Sequence, residues 1–175
     1  MRLPFFFFGS LRDEGVFRAV LGRPAAAFAA TAATLDGHAV ERLAEWPYPR
    51  LVERPGGRAP GLVVDGFTAT EIDRMCFFES LEYELREFTV ETRSGRRRAA
   101  CFTAVEHMES SGIAWRIEDW RVLVGDRARA EAEVCMNRYY GRIGRHELDA
   151  RWPEIEQRAS DLLARRQKER GALAS

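Results

Sequence analysis

Four consecutive phenylalanines, Phe5 to Phe8, run straight into Gly9-Ser10, and no other stretch limits the folding of this chain so tightly. A strand points successive side chains to opposite faces, so an unbroken aromatic run needs cover on both. Phe5–Phe8 therefore reads as a central strand with packing on either side. Gly9 ends it. Without a Cβ, the backbone there can bend sharply and come close to a ligand, and the N–H groups of such a turn form a nest for a carboxylate or carbonyl oxygen.

Downstream, helix and strand signals alternate. Val16, Val20 and Leu21 mark a short helix ending near Gly22, with Pro24 beyond it. The Ala-rich stretch 25–45 is weakly patterned, and Thr31–Leu35 reads as a strand. Trp46-Pro47-Tyr48-Pro49 excludes regular helix, because each proline restricts the residue before it. Arg50–Glu53 and Gly61–Phe67 flank Pro55-Gly56-Gly57, which predicts a hairpin over 50–67. Thr68-Ala69-Thr70-Glu71 has the form of a capping box, opening a helix to about Phe78 with Ile72, Met75 and Cys76 at helical spacing. Phe88–Thr92 and Arg98–Val105 form a second hairpin around Ser94-Gly95, with Arg96-Arg97-Arg98 at its solvated tip.

Beyond Gly112 the character turns helical. Trp115 and Trp120 lie in a linking segment, and Gly125-Asp126 reads as the cap of a helix reaching Ile143. Trp152-Pro153 reads as the start of a last helix with Ile155, Ala159, Leu162 and Leu163 on one face. Residues 164–175 read as a loose tail. The expected fold is α+β: a strand-rich body over 1–112, with a helical C-terminal extension over 113–175 packed on it.

Bulk properties narrow the function. Lys+Arg and Asp+Glu are each 27, so the formal charge is zero and gives no general attraction to nucleic acid or anionic lipid. No apolar stretch is long enough to span a bilayer, and the phenylalanine run is too short for a signal segment. Cys76, Cys101 and Cys135 show no ligand spacing for zinc and no disulfide framework, and they fit a reducing cytoplasm. No metal or cofactor is expected. The expected partner is a small molecule, with the chain a monomer or homodimer.

The acidic stretch Glu79-Ser80-Leu81-Glu82-Tyr83-Glu84 follows Phe77-Phe78 at a helix end. A carboxylate so placed is desolvated, which raises its proton affinity toward the range of acid/base catalysis. Glu79 is the candidate, and Glu82 and Glu84 read as solvated. Ser10 as a nucleophile needs an oriented base, and His38, His107 and His146 sit in unrelated contexts.

With these residues in view, the chain resembles the γ-glutamyl cyclotransferase-like family. That family opens on an aromatic-Gly-[Ser/Thr]-Leu-[Arg/Lys] turn after a strand, here Phe8-Gly9-Ser10-Leu11-Arg12. It later carries Leu-Asp-x-x-Glu-Gly-x-x-Tyr, here Met75-Cys76-Phe77-Phe78-Glu79-Ser80-Leu81-Glu82-Tyr83. Gly37, Tyr48-Pro49, Gly61, Val90 and Gly95 fall in the family's order, and the resemblance covers residues 3–110. Three positions depart from it: Phe8 for the usual Tyr, Cys76 for Asp and Ser80 for Gly. The resemblance implies a small mixed β-barrel with flanking helices. It also implies cleavage of a γ-glutamyl amide by its own α-amine, giving 5-oxoproline and a free amine without metal or covalent intermediate. Glu79 would be the acid/base, with Phe8, Gly9, Ser10, Leu11 and Tyr83 holding the substrate. The alternative is a non-catalytic relative that binds a small metabolite or a partner in the same pocket.

Overall fold

The computed structural model describes residues 3–173. The aromatic run forms β1 (Phe5–Phe7), buried on both faces. Phe5 and Phe7 face a core shared with the helices, whereas Phe6 and Phe8 face a second core inside the sheet. Each buried ring contributes roughly 1.5–3 kcal/mol, so this one strand anchors both layers.

Beside β1 run β3 (Pro49–Asp65), antiparallel, and β5 (Gly95–Ala104), parallel. The order continues through β4 (Tyr83–Thr92) and β2 (Ala29–Leu43), and a long antiparallel β2–β3 ladder closes the circuit. The result is a closed five-stranded mixed barrel, as the resemblance implies, with β6 (Ser110–Ala114) added on β2. Gly61 makes the β1–β3 contact possible: a Cβ there would lie 2.5 Å from the Phe7 carbonyl oxygen.

The hairpin expected over 50–67 does not form. Residues 50–65 lie in the single strand β3, and the reversal lies at 44–48, closed by the Leu43 N–H to the Tyr48 carbonyl at 2.9 Å. Asp36 pairs with Arg58 and His38 with Glu53, so Gly37 alone faces residues 54–57. Gly37 and Gly56 both take positive φ, and these glycines build a bulge where the sequence suggested a turn. The strand expected at Thr31–Leu35 extends over all of Ala29–Leu43.

Helix α1 (Glu14–Leu21) is capped by Asp13 and ends at Gly22 in the left-handed conformation. Helix α2 (Ala69–Phe78) starts with the capping box of Thr68 and Glu71. At the β4–β5 tip the three arginines stand opposite carboxylates, Arg96 on Glu91, Arg97 on Asp65 and Arg98 on Glu87.

In the C-terminal region several expectations change. Gly125 does directly precede α4, but it supplies no side-chain cap and does not break the helical run. It sits in αR geometry inside a π-helical turn, Arg121–Gly125, that joins α3 (Ile117–Trp120) to α4 (Asp126–Arg138). Buried Ile117 and Trp120 bring the helical run forward to residue 117, and Gly141 takes a positive-φ turn before residue 143. The last helix, α5 (Arg145–Leu173), begins before Trp152-Pro153 and carries Pro153 within it. It also includes most of the expected loose tail, of which residues 174 and 175 lie outside the described residues. Buried Val134, Cys135, Leu148, Ile155 and Ala159 join the helix-side core that contains Phe5 and Phe7.

Candidate active site

A cavity of about 380 Å³ lies among the turn after β1, the end of α2 and the faces of α4 and α5, with Tyr48, Pro49 and Tyr83 also in its lining. After Phe8 the chain makes a 3-10 turn, Ser10–Arg12. Its own hydrogen bonds come from the Arg12 N–H to Gly9 O (3.0 Å) and the Asp13 N–H to Ser10 O (2.9 Å). The N–H groups of Ser10 and Leu11 stand outside those bonds, in residues that line the cavity. Gly9 is required for another reason too. A Cβ at this position would meet Pro49 Cγ at 2.7 Å.

Pro49 in turn holds Tyr83. The Tyr83 hydroxyl donates to the Pro49 carbonyl at 2.9 Å, tying the start of β4 to the residue packed on Gly9. Burial, then the charges of Glu79 and Glu82, push this phenol well above its ordinary value, so it stays a neutral donor.

Glu79 is the C-cap of α2 and lines the cavity. It is half-buried by surface area because one side faces the cavity, while protein encloses the rest. Desolvation, then the neighbouring charge of Glu82, push its carboxyl up to about 8. Glu82 was expected in solvent. It is exposed, yet it also lines the cavity, and burial and then Asp149 raise its own proton affinity. Glu84 is half-buried, with its side chain 44% exposed and paired with Arg86.

Residue 80 takes φ 54°, the only positive φ among the described non-glycine residues. A side chain in this region costs on the order of 1–2 kcal/mol. The chain therefore keeps the backbone geometry that glycine adopts freely while placing serine there. Helix α5 supplies the support: Ser80 Oγ donates to Asp149 Oδ1, and Arg145 donates to the Ser80 carbonyl.

Other lining residues escaped sequence reasoning. Tyr48 served there only as a landmark, yet it lines the cavity and donates to Glu131 Oε2 at 3.3 Å. Glu131 on α4 is buried, 3.1 Å from Arg127 Nε, and burial raises its pKa. Trp152 and Pro153 line the cavity from α5. Amphipathic helices carry no local mark of which polar residue faces a pocket, so Glu131 had no sequence signal. Tyr139 and Tyr140 are not lining residues; Tyr140 donates instead to Asp73 at 2.8 Å. None of the three histidines lines the cavity, so Ser10 has no histidine base there to activate it.

Phe8 is 4% exposed and packs on Phe6 at 6.4 Å between ring centroids, so the position offers packing in place of a hydroxyl. Cys76 is half-buried, and burial raises its thiol. All three cysteines are free.

A family model described as Gamma-glutamyl cyclotransferase, AIG2-like, matches residues 5–122. The chain belongs to this family. The match to the Gamma-glutamyl cyclotransferase, AIG2-like family takes in the barrel, Glu79 and the Phe8–Leu11 turn, and it ends within the π-helical turn before α4. No individual curated protein matches the sequence. Among solved structures, the Arabidopsis thaliana protein At3g28950.1 is similar at 24% identity and a TM-score of 0.55, over 71% of this chain and 76% of that one. A second Arabidopsis thaliana protein, At5g39720.1, is similar at 24% identity and a TM-score of 0.55, over 70% and 83%. An uncharacterized Homo sapiens protein, loc79017, is similar at 13% identity and a TM-score of 0.52, over 85% and 86%. These likenesses establish the shared fold. No helix among the described residues is long and apolar enough to cross a membrane.

Proposed function

We infer that this family member is a cyclotransferase that releases 5-oxoproline and an amine from a γ-glutamyl amide. The observation that carries the reading is Glu79, a carboxyl enclosed at a helix end, facing a cavity and titrating near 8. A carboxyl raised this far is a stronger base once ionised than an ordinary carboxylate, and so is better matched to a proton carried by an amine.

In the proposed reaction the substrate's α-nitrogen attacks its own γ-carbonyl carbon. Ionised Glu79 takes the proton that the nitrogen sheds as the new C–N bond forms. The carbonyl becomes an oxyanion, which the N–H groups of Ser10 and Leu11 stabilise. The tetrahedral centre then collapses, the original C–N bond breaks, and Glu79 returns the proton to the departing amine. Water is neither consumed nor released. Because nucleophile and electrophile belong to one molecule, the protein's task is orientation and proton transfer. Gly9, Pro49 and Tyr83 support that orientation by fixing the cradle against the start of β4.

Phe8 supports the second reading, a binding protein without turnover, because it brings no hydroxyl to the cradle. The test incubates the protein with γ-glutamyl amines, amino acids and peptides and measures 5-oxoproline, with Glu79→Gln in parallel. Binding without product across the panel would favour the second reading. Product formed equally by Glu79→Gln would remove Glu79 from the mechanism.

A further inference from the structure

Ser80 and helix α5 form a pair that neither residue explains alone. Ser80 is 5% exposed, takes a conformation that glycine adopts freely, and immediately follows Glu79. Both groups that hold it come from one face of α5, since Arg145 and Asp149 are four residues apart. Asp149 also lies four residues before Pro153, whose ring nitrogen has no hydrogen to return to the Asp149 carbonyl. The helix, though continuous, thus lacks one backbone hydrogen bond at the residue that reaches Ser80, and both Asp149 and Pro153 line the cavity. The family match ends at residue 122, so Ser80 lies within it and its two partners on α5 lie beyond it.

We propose that Asp149 is a positioning residue: its hydrogen bond to Ser80 holds residue 80 left-handed and thereby keeps the Glu79 carboxylate directed into the cavity. In this role α5 takes over what a glycine at position 80 does unaided, and the C-terminal helices become part of the catalytic apparatus. The proposal rests on the cyclotransferase reading of the site.

The experiment is a double-mutant cycle. Asp149→Ala and Asp149→Asn are made in the Ser80 protein and in a Ser80→Gly background, and kcat and KM are measured for 5-oxoproline release. Asp149→Ala is expected to lower kcat about 10- to 100-fold, the scale of a misplaced catalytic group, with the loss falling mainly on kcat. Asp149→Asn keeps a side-chain oxygen to accept from Ser80 and is expected to retain most activity. In the Ser80→Gly background the Asp149→Ala loss is expected to shrink to less than about threefold, because glycine holds this φ without help. Arg166→Ala, which cuts an ion pair between α5 and Glu133 on α4, controls for general loosening and is expected to leave kcat as it is. An unchanged kcat in Asp149→Ala, or an equal loss in both backgrounds, overturns the proposal.

A second readout does not depend on turnover. The Glu79 carboxyl is titrated by NMR in the same variants. Asp149→Ala is expected to move its midpoint toward the ordinary carboxylate range, and Ser80→Gly is expected to restore it. If the wild-type protein releases no 5-oxoproline, the cyclotransferase reading fails while this titration still decides the role of Asp149. A midpoint unmoved by Asp149→Ala removes that role.

Discussion

Gly9 and Pro49 approach so closely that a single methyl group at residue 9 would stand 2.7 Å from Pro49 Cγ. The contact joins the cradle after β1 to the strand that also anchors the Tyr83 hydroxyl. Gly9→Ala must therefore push the two segments apart. Overpacking of this kind typically costs about 1–3 kcal/mol. The expected result is a folded protein with a lower melting temperature and at least about tenfold weaker turnover. Thermal melts and 5-oxoproline release check both.

Tyr83→Phe removes one hydrogen bond and leaves the ring. A neutral hydrogen bond of this type contributes roughly 0.5–1.5 kcal/mol, and the Pro49 carbonyl loses its donor. Stability is expected to fall by about that amount, with kcat falling more than the stability change alone explains. Denaturant melts compared with initial rates measure the difference.

Glu79 ties stability to pH in a definite direction. Its folded carboxyl titrates near 8, above the ordinary value of 4.5, so the native state holds a proton that the unfolded chain gives up. Stability from this site is greatest below about pH 4.5 and is lost as pH rises toward 8. Glu79→Gln is expected to be more stable than wild type by a gap that widens over this window to a few kcal/mol, at about 1.4 kcal/mol per unit of pKa. Activity moves the other way, because the base must be ionised, and kcat is expected to rise through about pH 8. Melts at several pH values and a pH–rate profile check the two trends.

Asp13 has the opposite sign. It is buried, and burial alone would raise its pKa, but hydrogen bonds from Arg129, the Val16 N–H and Arg121 hold it at about 2. These arginines tie the π-helical turn and α4 to the N-cap of α1. The stabilisation is fully present above about pH 4 and is lost as pH falls toward 2, and it amounts to roughly 2 kcal/mol. Asp13→Asn is expected to lose that amount at neutral pH, with the difference from wild type vanishing near pH 2. Melts between pH 2 and 7 provide the measurement.

Arg127 is the only cationic residue lining the cavity among the described residues, against Glu79, Glu82, Glu131, Asp149 and Glu156. Such a surface disfavours an anionic leaving group. Among γ-glutamyl compounds, those releasing a neutral or cationic amine are expected to react faster than those releasing an acidic amino acid. Raising the ionic strength is expected to narrow the gap. Initial rates with the three leaving-group classes at low and high salt test this.

What the sequence disclosed depended on whether the signal was local. The aromatic run, the Gly9 turn, the capping box at Thr68 and the Ser94-Gly95 reversal each act within a few residues, and the structure has them where the sequence puts them. Pro55-Gly56-Gly57 misled because positive-φ glycines serve a bulge as well as a turn, and only pairing with distant Gly37 decides between them. Pro153 misled because a first-turn proline and an interior one look alike in sequence. The desolvation of Glu79 was legible from its aromatic neighbours. The contacts of Asp149, Arg145 and Glu131 were not, since they come from the docking of α4 and α5 on the barrel, which follows from no local pattern.

The most direct measurement follows 5-oxoproline and free amine together from a panel of γ-glutamyl compounds, using the wild-type protein and Glu79→Gln. The expected result is equal amounts of the two products from at least one compound, with the Glu79→Gln rate lower by about 100-fold or more, the scale of general acid–base catalysis. Glutamate as the product in place of 5-oxoproline, or an undiminished rate in Glu79→Gln, would contradict it.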